Sequence, residues 1–236
     1  THYYGGIKKY QWTTIPLAMH GTVVLADGKK VDIALGDEGD DVTFTISDLL
    51  PHLSDEQSKK TLDKAIEGES LNIIIGSIPL AGEEEKEPFK AAVLKLLNDK
   101  YGICEEDFIS AEIEFVPAFA AKDIGIDRGF IGAAGHDDRV CAYTSMQAIF
   151  DTVNPEKTAV CILVDKEEVG SMGVTGMRSR FFENIIAEIV ALMGKSELSL
   201  RRCFSSSICL SADVCAAWDP NYPSVMDKNN SAKASH

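Results

Sequence analysis

The chain of 236 residues carries 37 acidic and 23 basic side chains, a formal net charge of −14, and 45% of its residues are apolar. This length and composition are typical of a globular protein with one large core or two smaller ones, and they argue against a disordered chain. The acidic excess argues against a nucleic-acid surface and gives no attraction to anionic membranes. No apolar run approaches the roughly 18 residues of a membrane span. We therefore expect no nucleic-acid or membrane partner.

The ends of the chain indicate whether it is complete, and its cysteines indicate the redox compartment in which it is found. The start at Thr1 lacks both Met and the basic-then-apolar layout of a signal peptide. We therefore expect an excerpt of a longer protein, entered and left within structural elements. The six cysteines form no Cys-x-x-Cys pair. They indicate reduced cysteines in the core of a cytoplasmic protein.

The first half of the chain predicts short strands mixed with helices. Residues 21–25 and 31–35 are strand-like and are joined at Asp27-Gly28, which is the signature of a β-hairpin. The further predicted elements are a strand at 42–46, a helix at 54–67 that stops at Gly68, a buried strand at 71–75, a solvated loop at 81–88 containing Glu83-Glu84-Glu85, a helix at 89–97 and a strand at 111–116.

The second half alternates helices with very apolar segments. The predicted elements are a helix at 138–150, a strand at 159–164, a helix at 181–193 and a short apolar strand at 207–210. Strands that are apolar on both faces and separated by helices indicate a sheet covered by helices on both sides. We therefore predict an α/β unit from about 117 onward, preceded by an α+β unit over about 13–116.

Three acidic clusters follow or precede these elements. Asp137-Asp138 opens a helix, Asp165-Lys166-Glu167-Glu168 follows the apolar segment 159–164, and Asp213 follows 207–210. Carboxylates brought together repel each other unless cations offset their charge. A pair of divalent ions removes this conflict and leaves one carboxylate free to act as a general base. The alternative is that each cluster is an exposed turn. A nucleotide site is disfavoured, because the Gly170–Gly176 loop has neither phosphate-loop spacing.

The same segments carry a resemblance to a known family. Gly-His-Asp-Asp-Arg-Val-Cys-Ala-Tyr at 135–143, Asp-Lys-Glu-Glu-Val-Gly-Ser at 165–171 and Ser-Ala-Asp-Val-Cys-Ala-Ala at 211–217 resemble successive signatures of the aspartyl aminopeptidase/vacuolar aminopeptidase I family. Asp-Pro-Asn-Tyr-Pro at 219–223 and Tyr-Gly-Gly at 4–6 match as well. Members of this family are di-zinc exopeptidases. The resemblance covers essentially the whole chain and keeps the order of the motifs.

The resemblance implies a role for four acidic residues. Asp137 corresponds to the carboxylate that bridges two zinc ions, and Glu167 to the general base. Glu168 corresponds to a ligand of one zinc and Asp213 to a ligand of the other. Zinc-activated water would attack the first peptide bond, so the implied activity is removal of N-terminal residues from peptides. Cobalt or manganese are alternatives to zinc.

The resemblance also implies an architecture. Residues 1–12 and 117–236 would belong to a phosphorylase/hydrolase-like catalytic domain, present in part, and residues 13–116 to an inserted dimerisation and lid domain. Relatives assemble as dimers grouped into dodecamers, so we expect a homo-oligomer. His52, in Pro51-His52-Leu53, corresponds to a residue that can reach a neighbouring subunit's active site; a plain helix-start histidine is the alternative.

One departure from the family pattern leaves other functions open. The family has two zinc-binding histidines, and neither of their motifs occurs here. Of the five histidines, His136 is expected to support the metal ligands or to be merely polar, with metal ligation as the alternative. His20 is expected to be structural and His236 not to be a ligand. The second hypothesis is therefore an assembly or peptide-binding module without catalytic metals. A third is the same fold acting on another amide bond.

Overall fold

The computed structural model describes residues 2–37, 39–40, 42–81 and 86–234. The chain divides into two compact units. The first contains Thr1–Lys122 and Gly132–Ala134, and the second contains Asp123–Ile131 and Gly135–His236. The domain boundaries expected from the sequence, at 12/13 and 116/117, stay predictions. Part of the expected acidic loop, residues 82–85, and His236 lie outside the described residues.

The first unit is built on a three-stranded antiparallel sheet with β1 at its centre. The strands are β1 (Leu17–Val24), β2 (Lys30–Leu35) and β5 (Glu112–Pro117), in the order β2-β1-β5. The Asp27-Gly28 hairpin and the strand at 111–116 are thus confirmed. A second small sheet pairs β3 (Thr45–Ile46) with β4 (Ile73–Ile74).

One face of this sheet carries the core. Odd-numbered β1 residues lie opposite apolar residues of both neighbours; Met19, for example, is registered with Leu35 and Phe115. Phe115 in turn meets the Phe44 ring edge-on, with centroids 5.3 Å apart. The buried cluster comprises Leu17, Met19, Val23, Ile33, Phe44, Ile46, Ile66, Leu71 and Ile103. The alternation of strand residues therefore separates this core from a polar outer face.

The helices of the first unit match the sequence only in part. The helix α3 (Pro88–Tyr101) confirms the helix at 89–97 and continues until Gly102, whose φ of 73° ends it in the left-handed conformation. The single helix predicted at 54–67 is wrong. Two one-turn helices, α1 (Asp55–Ser58) and α2 (Leu62–Ala65), replace it. The buried strand predicted at 71–75 is reduced to β4, and Ile74 is 49% exposed.

The second unit is mainly helical in its described part. Its helices are α4 (His136–Asp151), α5 (Phe181–Leu192) and α6 (Glu197–Ser206). The first two confirm predicted helices, whereas α6 was not predicted. The α5 and α6 helices meet through Phe182 and Phe204, whose ring centroids lie 5.7 Å apart. Two short pairs of strands complete the set: β6 (Lys122–Ile124) with β7 (Phe130–Gly132), and β8 (Ala217–Trp218) with β9 (Ala232–Lys233).

The strands expected in the second unit are not formed. Residues 159–164 and 207–210 have no assigned strand among the described residues, and Val160, Leu163, Ile208 and Leu210 are 53–91% exposed. Leu200 is the one hydrophobic residue in the described part of this unit that is buried. The α/β sheet covered by helices on both faces is therefore not observed within the described part. What the structure shows is mixed helix and strand content.

Two further observations concern the cysteines and the helices. All six cysteines are unpaired, but none is buried: Cys141 and Cys161 are half-buried and the other four are exposed. The prediction of core cysteines is therefore wrong. Among the described residues, no helix has the length and apolar character that crossing a membrane requires.

Candidate metal centre

The start of α4 supplies two adjacent carboxylates. Gly135 precedes the helix with a φ of 69°, and the backbone angles of Asp137 and Asp138 are not helical. The regular helix therefore begins only after them. Because the two aspartates lie in this irregular first turn, both of their carboxylates can approach the same point, which two consecutive positions of a regular helix do not allow.

A tight turn presents the second acidic pair. Glu167 and Glu168 begin a short 3₁₀ turn, Glu167–Val169, which lies between two left-handed residues, Lys166 and Gly170. The turn is closed by two backbone hydrogen bonds: the Gly170 N–H donates to the Glu167 carbonyl at 2.9 Å, and the Ser171 N–H donates to the Lys166 carbonyl at 2.8 Å. The two glutamates therefore sit on a short, well-braced segment, and both are exposed.

The structure brings acidic residues from separate segments together. One carboxylate oxygen each of Asp137, Asp138 and Asp213 lies within 4.8 Å of the others. The side chain of Glu168 lies beside this group, because it hydrogen-bonds with Asp137 and the charge of Asp213 acts on its pKa. The predicted ligands Asp137, Glu168 and Asp213 thus lie close together, and Glu167 is near enough for its charge to act on Glu168.

Mutual repulsion is visible in the ionisation of Glu168. The charge of Asp137 raises the pKa of the Glu168 carboxyl above its ordinary value of 4.5, and Glu167, partial burial and Asp213 add to the effect. The hydrogen bond with Asp137 acts in the same direction, since it favours a proton shared between the two carboxylates. A divalent cation would remove this repulsion by replacing the proton.

Asp138 is the member of the cluster that the sequence did not assign. It was recognised only as the neighbour of Asp137 in the Asp-Asp pair, and the family resemblance gave it no role. The thiol of Cys141, three residues further along α4, donates a hydrogen bond to the Asp138 carboxylate. This bond, reinforced by burial and by the charges of the three aspartates, raises the pKa of the Cys141 thiol from 9.0 to about 11.

Asp165 stands apart from the cluster, although the sequence grouped it with Glu167 and Glu168. Its carboxylate pairs with the ammonium group of Lys166 at 2.8 Å, and it accepts a bond from the Thr175 hydroxyl at 3.4 Å. The hydrogen bond from Lys166 lowers the pKa of Asp165 below its ordinary value of 3.8. The charge of this carboxylate is therefore offset by Lys166, which makes Asp165 a poor candidate for a metal ligand.

No histidine among the described residues belongs to the acidic cluster. His52 occupies an exposed turn, Pro51–Leu53, in the first unit, and the neighbouring Leu49, Leu50 and Leu53 are 52–67% exposed. His20 lies in β1 and its Nε2 is 3.0 Å from an oxygen of Asp37. His136 is exposed at the start of α4 and is not among the residues of the acidic cluster.

A cavity of about 380 Å³ in the first unit offers a second polar site. Its lining includes Asp37 and Asp40. Both are engaged within the protein: Asp37 pairs with His20, and Asp40 accepts bonds from the backbone N–H groups of Gly36 and Asp37 at 2.8 and 3.2 Å. These contacts brace the loop after β2 and leave neither carboxylate free of partners.

The acidic cluster suits a divalent metal by the chemistry of its donors. Aspartate and glutamate oxygens bind zinc, manganese and cobalt, and more than one carboxylate is needed to offset two doubly charged ions. One oxygen of Asp138, Oδ1, is buried and has no hydrogen-bond partner. Such an oxygen is uncommon in proteins and is relieved by a positive charge. Asp137, Asp138, Glu168 and Asp213 are thus the residues that could hold metal.

Comparison with known proteins identifies the family. Residues 1–236 match the family described as aminopeptidase I zinc metalloprotease (M18). The chain is 56% identical over 233 residues to a probable M18 family aminopeptidase 1 of Clostridium acetobutylicum, covering 98% of this chain and 50% of that protein. It is 49% identical to the Thermotoga maritima counterpart, covering 99% of this chain and 51% of that one.

Solved structures agree. An M18 aminopeptidase from T. maritima superposes with a TM-score of 0.88 at 48% identity, covering 99% of this chain and 51% of that one. Aminopeptidase I from C. acetobutylicum gives a TM-score of 0.85 at 53% identity, covering 99% and 50%. The chain thus spans about half the length of the relatives it matches. On the match over its whole length and on these identities, the chain belongs to the aminopeptidase I zinc metalloprotease (M18) family.

Proposed function

We propose that the protein is a metal-dependent aminopeptidase that removes N-terminal residues from peptides. The observation that carries this proposal is the convergence of Asp137, Glu168 and Asp213, three separated residues, on one place in the second unit. Membership of a zinc metalloprotease family supplies the reaction class. Because the chain spans half of its relatives' length, the activity belongs to the whole protein, of which this chain carries much of the acidic part of the site.

Each acidic residue has a distinct task in this proposal. Asp137, Glu168 and Asp213 would hold the two zinc ions; cobalt or manganese could replace zinc. Bound zinc supplies the Lewis acid that activates water and polarises the peptide carbonyl. Glu167 takes the proton of the attacking water and returns it to the amine that leaves. Its place beside Glu168 on the braced turn supports this role, since a base next to a ligand is held near the reacting atoms.

The first unit would serve assembly and would complete the site. We propose that it forms contacts between copies in a homo-oligomer, and that His52 reaches the active site of a neighbouring copy. The exposed apolar residues around His52 support this, because leucines are seldom left in water without a covering surface. One structural relative, at 20% identity and a TM-score of 0.67, is described as the mApe1 dodecamer of S. cerevisiae. A cytoplasmic location and a catalytic sheet covered on both faces are further parts of the proposal.

The test measures hydrolysis and metal content separately. Purified protein is assayed with a panel of aminoacyl-nitroanilides, with and without a chelator, and its zinc is quantified. We expect release of N-terminal residues that the chelator stops. Glu167→Gln should abolish turnover while zinc is retained, because the base is lost and the ligands remain. Asp137→Ala should lose the metal as well.

Two outcomes would replace this function with another. Substoichiometric zinc and no hydrolysis would favour an assembly or peptide-binding module. Full zinc content without release of N-terminal residues would favour the same fold acting on another amide bond. The side-chain panel also determines which N-terminal residue is preferred.

A further inference from the structure

The two oxygens of Asp138 have different surroundings. Oδ1 is buried and has no hydrogen-bond partner; the indole nitrogen of Trp218 is the other such side-chain atom in the described part of the chain. The thiol of Cys141 acts as a hydrogen-bond donor toward the same carboxylate. Oδ1 itself is shielded from water and has no hydrogen-bond donor of the protein to replace it.

This arrangement is unfavourable unless something else binds Oδ1. A buried oxygen that lacks a donor loses its hydration without compensation, and a carboxylate loses more than a neutral group. Here the difficulty is greater, because an oxygen of Asp138 lies within 4.8 Å of oxygens of Asp137 and Asp213. The backbone N–H of Arg139 is not a donor for Oδ1, because it bonds to the carbonyl of Gly135. The surroundings of Oδ1 thus call for a positive charge or a proton donor.

We propose that Asp138 is a working part of the cation site, with Oδ1 as the acceptor for the positive charge that a divalent ion brings there. The charge can come from the ion itself or from an N–H or O–H donor held on it. The inference rests on the proposed function only in taking the acidic cluster as a cation site. It assigns Asp138 a part that neither the sequence pattern nor the family resemblance gave it.

Cys141 is the residue that makes this role specific. It lies three residues after Asp138, in the regular part of α4, and its thiol is a donor for the Asp138 carboxylate. Serine at position 141 would keep a donor of similar size, whereas alanine would remove it. Variants with serine and with alanine at position 141 therefore test how far the donor at this position supports Asp138, which a change at Asp138 alone cannot show.

The experiment titrates the whole protein that contains this chain with Zn²⁺ in a calorimeter and compares variants. Asp138→Asn should weaken zinc binding by about 10- to 100-fold, the usual effect of losing a carboxylate that supports metal ligands. Cys141→Ala should weaken it less, and Cys141→Ser should restore it. Asp151→Asn is the matched control: it makes the same change at the far end of the same helix, about 20 Å away, and should leave zinc binding unchanged. Asp137→Asn, at a predicted ligand, sets the scale for a full loss.

The visible absorption of bound Co²⁺ identifies the partner of Oδ1. With Co²⁺ in place of Zn²⁺, a change in the visible absorption band of the Asp138→Asn variant means that Oδ1 contacts the ion. An unchanged band with weaker binding means that Oδ1 accepts from a donor on the ion. Either result supports the inference.

Three results would overturn it. The first is an Asp138→Asn chain that binds zinc as tightly as the parent. The second is a loss of binding that comes with faster amide exchange throughout α4, because Asp138 would then only stabilise the helix. The third is a parent chain that binds no zinc at all. Since no peptide is cleaved in this experiment, zinc binding that depends on Asp138 without aminopeptidase activity would sustain the inference and reject the proposed function.

Discussion

Neutralising one carboxylate of the cluster should stabilise the metal-free chain and abolish its response to metal. Asp213→Asn is the sharpest such change, since it removes one charge from a group of three without changing the size of the side chain. If Asp213 instead stabilised the chain through its contacts, Asp213→Asn would destabilise the metal-free chain. The prediction therefore separates a site built for cations from an ordinary acidic turn.

The magnitude follows from the distances. Two unit charges 4.8 Å apart repel by about 0.9 kcal/mol in water, and the water value applies because Asp137 and Asp213 are exposed. With two neighbours, Asp213 is relieved of roughly 1.7 kcal/mol before screening. A screening length of about 8 Å at 0.15 M salt leaves about 1 kcal/mol, and one of about 30 Å at 0.01 M leaves about 1.5 kcal/mol.

Hydrogen exchange of the first amides of α4 is the suitable assay, because it reports local opening beside the cluster. These energies correspond to exchange slowed about fivefold at 0.15 M salt and about tenfold at 0.01 M. Zinc should slow exchange further in the parent chain and have no effect on Asp213→Asn. Glu188→Gln, which removes an exposed charge on α5, is the control. Faster exchange in Asp213→Asn, or slowing that does not depend on salt, would refute the reasoning.

Three other predictions concern single residues. Gly21→Ala should destabilise the first unit by about 1–3 kcal/mol in a denaturant titration, because a Cβ would lie 2.1 Å from the Glu112 carbonyl oxygen; Gly6→Ala, with nothing within 4 Å, should be neutral. Cys141, with its pKa raised from 9.0 to about 11, should have about 100-fold less thiolate at pH 8 than an ordinary thiol. Its alkylation should accelerate until about pH 11, and a plateau near pH 9 would contradict this. His52→Phe should lower turnover while zinc content stays constant, and unchanged turnover would reject a role for His52 in a neighbouring site.

Local patterns were sufficient for the hairpin and the long helices. The Asp27-Gly28 turn and the alternation on either side of it specify β1 and β2, and apolar residues at helical spacing specify α3, α4 and α5. The pattern was weaker at 54–67, where the apolar residues Leu62, Ala65 and Ile66 come only in the second half. The first half therefore has no apolar face that could pack against the core and stabilise a helix. Thr61 is accordingly extended and separates α1 from α2.

The apolar segments of the second unit show the limit of such reasoning. A strand exists only where a neighbour accepts and donates its backbone hydrogen bonds, and residues 159–164 have none among the described residues. A single parallel bridge, between Asp165 and Gly176, is all that forms next to them. The strand predicted there from composition is therefore wrong for the described chain, because an apolar segment becomes a strand only when a pairing partner is present. In relatives about twice as long, there is more chain to provide one.

The residues of the candidate metal centre could likewise be predicted from the sequence only in part. Motif order singled out Asp137, Glu168 and Asp213, which the structure places close together, and their roles as metal ligands stay predictions. Motif order was not enough to select Asp138, whose importance depends on two facts of geometry: the burial of Oδ1 and the reach of the Cys141 thiol. A carboxylate next to a ligand is ordinary in sequence. It becomes informative only when the structure shows that one of its oxygens is buried without a hydrogen-bond partner. For this reason the role of Asp138 is tested by metal binding and not by comparison of sequences.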